Sequence, residues 1–542
     1  MLDKTKRGWW KSAVLYQIYP KSFQDTNGDG IGDLQGVISR LDYLEKLGID
    51  GIWLSPVFQS PQYDNGYDIS DYRDIDPMFG SISDMEELIA EAKKRGISII
   101  LDLVLNHSSS FHPWFLEAKK SRDNPYHDYY VWRDGEPGTP PNDMRATFGG
   151  SAWTYVLEIG QYYFHQFVPE QPDLNWENPA VRRELYDMIR FWIGKGAGGF
   201  RLDVIDQIAK EPDNFITGSG PRLHEFLREL SCEAFIGEGL VTVGEAWSAN
   251  VERAKLFSAP DGSEMSMVFQ FEHICLTFDG VKWKPVKLNL LALKECMERW
   301  QQGLHGCGWN SLFLENHDLP RIVSVWGDEG EYREQSAKML AIFLHGMQGT
   351  PYVYQGQELG MTNVRWPIEN YDDIEIRNHY AEAIAQGVPE EEVMAAIHER
   401  GRDNSRTPMQ WTAGENAGFT SGKPWLPVNE NHSFINAEAA LKDPDSIFYT
   451  YQRLIALRKE MPVIAEGGFE LVDRENDRVF AYRRDHGDAH LLVVCNFEKE
   501  SVPFDIPAEF DGGEVLVSNY GKPQKDTLRP FEAFMLLRNE KV

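Results

Sequence analysis

Eight short, almost wholly apolar segments, spaced by amphipathic helical patterns, predict an α/β chain. The expected fold is a (β/α)8 TIM barrel with an inserted subdomain after the third strand and a C-terminal antiparallel β-sandwich domain. Three observations carry this. The segments stay apolar on both faces, as parallel strands covered by helices do. The stretches between them repeat with a helical period. After about residue 464 the period drops to two, with turns between short runs.

The candidate strands are "VLYQIY" (14–19), "GIWLSP" (51–56), "SIILDLVLN" (98–106), "GFRLDV" (199–204), "VTVGEA" (241–246), "MVFQFE" (267–272), "SLFLENH" (311–317) and "PYVYQG" (351–356). In "NPAVRRELYDMIRFWIGKG", Val181, Leu185, Met188, Ile189, Trp192 and Ile193 share one helical face; Asn178 suits the N-cap, Pro179 the first helical position, and Gly194 and Gly196 the stop. "SDMEELIAEAKKRG" and "REQSAKMLAIFLHGMQG" repeat the pattern. Residues 108–176 break it with turn-rich text such as "RDGEPGTPPND", so they read as an insertion. A second irregular stretch, 361–411, follows the eighth strand. The expected divisions are a barrel over 1–107 and 177–464, the inserted subdomain over 108–176 and the sandwich over 465–542.

At 542 residues, with 42% hydrophobic and 25% charged residues, the chain can bury several cores. Its net charge of −30 disfavours nucleic acid and anionic membranes as partners and suits a neutral ligand. The start, "MLDKTKRGWWKSAVLYQIYP", lacks the apolar core of a secretory signal, and no window nears the ~18 apolar residues of a membrane span. The five cysteines are scattered and form no zinc pattern, which predicts free thiols and a cytoplasmic location. A monomer is expected. Many of the 67 aromatic residues sit beside Gly, Asn and Asp, a mixture that suits sugars.

Catalytic residues of such a barrel gather at the C-terminal ends of its strands. Those ends carry Asn106–His107, Arg201 and Asp203, Glu245, and His317–Asp318. Any one of these could be a cap or a structural ion pair. Three carboxylates, two histidines and an arginine at one barrel mouth, without a thiolate site or a phosphate loop, point to glycoside hydrolysis.

In order and spacing, "DLVLNH", "GFRLDVI", "VGEA" and "FLENHD" resemble the four motifs of the α-amylase family of glycoside hydrolases. "QPDLN", "YQGQELGMTN" and "RDNSRTPMQW" resemble its oligo-1,6-glucosidase and dextran-glucosidase (glucan 1,6-α-glucosidase) branch, with Ser405 where Ala is usual. The resemblance implies a retaining, exo-acting α-glucosidase that removes glucose from isomaltooligosaccharides. Asp203 matches the nucleophile, with Arg201 lowering its pKa. Glu245 matches the general acid/base, so its surroundings are expected to favour the protonated form before substrate enters. A retaining pair stands about 5–5.5 Å apart. Asp318 would grip the 2- and 3-hydroxyls, and His107 and His317 would donate to the same ring. Asp64 and Tyr67 match the seat of the terminal glucose, with Arg402, or its rival Arg406, pairing to Asp64 and closing the pocket. Phe148 packs near this ring; Trp247 and Glu375 suit the second sugar.

The loop "DTNGDGIGD" offers Asp25, Asn27, Asp29, the Ile31 carbonyl and Asp33 as hard oxygen ligands. It is no EF-hand, because the twelfth position is Gly36, and a plain capping turn is the alternative. The resemblance implies a structural Ca²⁺ there. Rival readings are a trehalose-6-phosphate hydrolase, which needs a cationic pocket that Lys282 and Lys284 do not obviously make, an α-1,4-glucosidase, and a non-enzymatic transporter subunit, which would lack the carboxylates.

Overall fold

The computed structural model describes residues 2–237 and 239–539. Met1, Glu238 and residues 540–542, which fall within the expected barrel and sandwich spans, lie outside the described residues. Eight parallel strands form one sheet: β1 Leu15–Ile18, β2 Gly51–Leu54, β3 Ser98–Val104, β4 Gly199–Asp203, β5 Val241–Glu245, β6 Met267–Phe269, β7 Ser311–Leu312 and β8 Thr350–Tyr354. They lie in the order β6-β5-β4-β3-β2-β1-β8-β7, and a parallel bridge between Val268 and Asn310 brings the two edges together into a barrel. Every candidate strand of the sequence is present.

Register explains the charged residues inside β4. Val104 on β3 pairs with Asp203 and Asp102 with Arg201, while Val243 on β5 pairs with Arg201. Phe200 and Leu202 point outward into the core shared with the helices. Leu15, Trp53, Ile100, Val241, Val243, Met267, Phe269 and Tyr352 fill the interior below. Alternation therefore turns Arg201 and Asp203 inward, at the end where the apolar filling stops. The helix Pro179–Lys195, which delivers the chain to β4, starts as expected, with Asn178 accepting from the Ala180 N–H; it runs through Gly194 and is capped by Gly196 at φ 100°.

The insertion carries a three-stranded antiparallel sheet, with Gln161–Phe164 between Trp132–Asp134 and Trp153–Val156. A bridge from His107 to Asp173 ties it to the end of β3. After β8, the helices Ile374–Ala385 and Glu390–Arg400 pack on a small core of their own around Tyr371, Ile376 and Val393. At the C-terminal end, β9 Gly468–Val472, β10 Val479–His486, β11 Ala489–Asn496, β12 Glu514–Ser518 and β13 Ala533–Asn539 form an antiparallel sheet in the order β9-β10-β11-β13-β12. One face meets the barrel, where Tyr482 donates to the Phe343 carbonyl at 2.8 Å. The other buries Val479, Leu492, Val494 and Phe534 against Val502, Phe504 and Leu528 of a two-stranded layer.

Candidate active site

At the floor of the barrel mouth the buried Arg201 guanidinium is shared among three carboxylates. Nη1 donates to Asp203 Oδ1 at 2.7 Å and to Asp102 Oδ1 at 2.9 Å; Nη2 donates to Glu245 Oε2 at 2.5 Å. One guanidinium thus spans Asp203 and Glu245, which adjacent strands β4 and β5 deliver side by side. Glu245 accepts two more N–H bonds, from the Val204 backbone at 3.1 Å to Oε2 and from Trp247 Nε1 at 3.1 Å to Oε1.

This corrects one expectation. Burial pushes the Asp203 carboxyl well above its usual value; Arg201 pulls it down, as expected, but does not prevail, and Glu245 and Asp102 add to the rise. The neighbours of Glu245 are a cation and two N–H donors.

Val204, next after the nucleophile position, has φ 35° and ψ 44°, left-handed values that a β-branched residue adopts only under constraint. That turn aims its N–H at Glu245.

A relay of hydrogen bonds stands behind the floor. Gln17 Nε2 lies 2.8 Å from His317 Nδ1, so the ring proton sits on Nε2, which faces Tyr67 Oη at 2.6 Å and Asp318 Oδ2 at 3.1 Å. Tyr67 in turn donates to Asp102 Oδ2 at 3.0 Å. Burial lowers His317 to about 3 and His107 to about 4, which keeps both rings neutral.

Arg402 organises the opposite wall. Nη2 donates to Asp64 Oδ1 at 3.2 Å and Nη1 to Asp318 Oδ1 at 3.2 Å; Nε donates to both Asp373 oxygens at 3.0 and 3.1 Å. Its guanidinium lies 4.6 Å over the Phe148 ring. Between Arg402 and Arg406 the geometry decides for Arg402 as the partner of Asp64. Arg406 donates instead to Asp318 Oδ1 at 2.8 Å and to the His317 carbonyl at 2.9 Å. Burial would raise Asp318, but His317, Arg402 and Arg406 outweigh it and hold the carboxylate well below its usual range. Asp64 goes the other way, raised to about 6 by burial despite Arg402.

These walls enclose a cavity of about 410 Å³, lined by Asp203, Glu245 and Asp318 with Asp64, Tyr67, His107, Phe148, Trp247, Glu375 and Arg402. His317, expected to donate to the sugar, is not on its surface. It is fully covered and Arg201 is 1% exposed, and both lie behind the lining, where they contact carboxylates. Trp247, 45% exposed, stacks on Phe271 at 3.8 Å and forms one side of the entrance. Glu375 pairs with Lys282 at 2.5 Å and approaches Arg402 Nε at 3.3 Å.

Several contributors were not singled out from the sequence. Gln171, inside the quoted "QPDLN", donates 3.2 Å to Asp64 Oδ2 and lies 3.1 Å from His107 Nε2. Phe167, Gln207 and Arg400 also line the cavity. Asp102 opens the quoted "DLVLNH" but was given no role, and Asp373, two residues before Glu375, was not singled out.

The loop at 25–33 is closed by its own hydrogen bonds. Asp25 Oδ1 accepts from the Asn27 and Gly28 amides at 2.9 and 2.8 Å and Oδ2 from Gly30 at 2.8 Å; Asn27 accepts from Asp29, and Asp29 from Ile31. Asp33 caps the helix Leu34–Ser39 through the Gly36 amide at 2.6 Å. Among the described residues no group of three or more acidic, histidine or cysteine side chains is arranged around a common point to hold a metal.

An eight-stranded barrel with paired carboxylates on adjacent strand ends defines a glycoside hydrolase. The comparisons agree. The catalytic-domain model of α-amylase matches residues 17–467, and the C-terminal-domain model of maltogenic amylase matches residues 469–532. The chain belongs to the α-amylase family. It is 54% identical over 536 residues to the glucan 1,6-α-glucosidase of Streptococcus pneumoniae, covering 97% of this chain and 98% of that one. It is 50% identical over 553 residues to the oligo-1,6-glucosidase of Parageobacillus thermoglucosidasius, with the same coverage. A solved structure of the trehalose-6-phosphate hydrolase of Bacillus licheniformis superposes with a TM-score of 0.93 at 46% identity, covering 98% of this chain and all of that one.

Proposed function

We propose that the protein is a retaining, exo-acting α-glucosidase that hydrolyses α-1,6 bonds at the non-reducing end of isomaltooligosaccharides. The observation that carries this reading is the bond between Arg402 and Asp64. It closes the cavity beyond the place where Asp203 and Glu245 act, so that one terminal glucose fits there and no chain continues past it.

The chemistry follows from the positions. A terminal glucose enters with its 4-hydroxyl toward Asp64 and Arg402 and its 2- and 3-hydroxyls toward Asp318. Asp203 attacks C1, the bond from C1 to the bridging oxygen breaks, and Glu245 gives that oxygen a proton. Water then attacks C1 of the glucosyl ester while Glu245 takes its proton, and the bond to Asp203 breaks. Two inversions return the α configuration. Arg201 touches both carboxyls and offsets the charge that moves between them.

The 25–33 loop offers hard oxygen donors of the kind a structural Ca²⁺ takes. An ion there would replace hydrogen bonds already made: Asp25 Oδ1 accepts from the Asn27 and Gly28 amides, and Oδ2 from the Gly30 amide and the Thr420 hydroxyl. The residues to hold the ion are Asp25, Asn27, Asp29, Asp33 and the Ile31 carbonyl, remote from the cavity. The five unpaired cysteines support a cytoplasmic setting.

A panel of isomaltose, isomaltotriose, dextran, maltose and trehalose 6-phosphate at equal enzyme concentration tests the substrate class. The α-1,6 oligosaccharides are expected to give the highest kcat/KM. A preference for trehalose 6-phosphate or maltose would overturn the reading.

A further inference from the structure

Arg400 is the one cation of the cavity lining that forms no ion pair among the described residues. Arg402 is held by four carboxylates and Lys282 by Glu375. Arg400 is only 2% exposed, at the end of the helix Glu390–Arg400, yet it lines the cavity. Its Nη1 donates to Thr277 Oγ1 at 3.0 Å, its guanidinium lies 5.3 Å over the Phe278 ring, and its buried Nε has no hydrogen-bond partner. A buried N–H without an acceptor costs about 1–3 kcal/mol, and a buried charge without a partner costs more. Such a group persists where something outside the polypeptide supplies the acceptors.

Its position says which part of the substrate that is. Phe278 and Pro285 bridge the base of a short loop that carries Lys282. Lys282 reaches Glu375, which meets Arg402, whose other carboxylate partners are Asp64, Asp318 and Asp373. Along this chain of contacts the Glu375–Lys282 pair stands between Arg402 and Arg400, so Arg400 belongs to the part of the lining shared with Phe278, Lys282 and Glu375. The lining also carries five carboxylates, Asp64, Asp203, Glu245, Asp318 and Glu375, which favours a neutral, hydroxyl-rich partner over a phosphate.

Resting on the function proposed above, the geometry points to Arg400 as a specificity-determining residue that donates N–H bonds to hydroxyls of the leaving-group sugars. It discriminates sugar leaving groups from apolar ones.

The test compares wild type, Arg400→Met and Arg400→Lys on isomaltose, isomaltotriose, maltose, trehalose 6-phosphate and p-nitrophenyl α-glucoside. Met keeps the stem and its packing on Phe278; Lys keeps the charge. For Arg400→Met, kcat/KM on whichever neutral oligosaccharides the wild type hydrolyses is expected to fall roughly 10- to 100-fold, the range for a hydrogen bond to a charged group. The aryl glucoside, which has no hydroxyls on its leaving group, stays within about threefold, and Arg400→Lys recovers part of the loss. An equal fall on all substrates, or none, overturns the assignment. So does a loss confined to trehalose 6-phosphate, which would show the guanidinium reading phosphate. A wild type that prefers maltose to isomaltose refutes the α-1,6 reading and leaves the Arg400 comparison to be decided on maltose.

Discussion

Arg402 and Asp64, 338 positions apart in sequence, meet at 3.2 Å in the cavity wall. Asp64 is raised to about 6 by burial, so it gains its proton and loses its charge as pH falls through that value. The kcat/KM of the wild type on isomaltose should therefore decline below about pH 6. Asp64→Asn should lower kcat/KM about 10- to 100-fold at pH 7, by removing a charged acceptor, and displace that acid limb. A pH profile measured on both proteins checks this. An acid limb left in place by the substitution would assign it to another group.

Asp203→Asn should reduce turnover on every substrate by on the order of 10³-fold or more, since it replaces the attacking oxygen at almost constant volume. Glu245→Gln should lose about 10²–10⁴-fold on isomaltose and much less on p-nitrophenyl α-glucoside, whose leaving group needs no proton. Steady-state kinetics on the two substrates separate the roles. Equal losses for Glu245→Gln on both would remove it as the acid.

Val204 lines the cavity immediately after Asp203, held in its left-handed turn with its N–H on Glu245. Its branched, apolar side chain suits the extra methylene of an α-1,6 link, whereas Thr would place a hydroxyl there. Val204→Thr should raise the maltose-to-isomaltose ratio of kcat/KM by roughly 10- to 200-fold without abolishing either activity. An unchanged ratio would show that this side chain does not read the linkage.

If the 25–33 loop binds Ca²⁺, a chelator should lower Tm and excess Ca²⁺ restore it by mass action, with kcat near 25 °C unchanged. Melting curves indifferent to both would assign the loop's stability to the hydrogen bonds of Asp25 and Asp33 alone.

Much of this site was legible in the sequence because strand ends are local. Asp203, Glu245 and Asp318 each follow an apolar run, and a barrel brings such ends together whatever fills the loops between. What was not legible depends on register and on long loops. Nothing near Arg201 in sequence shows that Asp102 and Glu245 flank it on β3 and β5, so its charge read as belonging to Asp203 alone. His317 read as a ligand of sugar, but its neighbours Gln17 and Tyr67 come from other parts of the chain. The left-handed turn at Val204 runs against the β preference of valine and arises from the surrounding packing.

The central claim, an exo-acting retaining cut at an α-1,6 bond, is tested most directly by following isomaltohexaose hydrolysis by proton NMR from the first seconds. The account predicts that free glucose appears first as the α anomer, together with isomaltopentaose. Initial release of β-glucose, or of mid-length products without glucose, would contradict it.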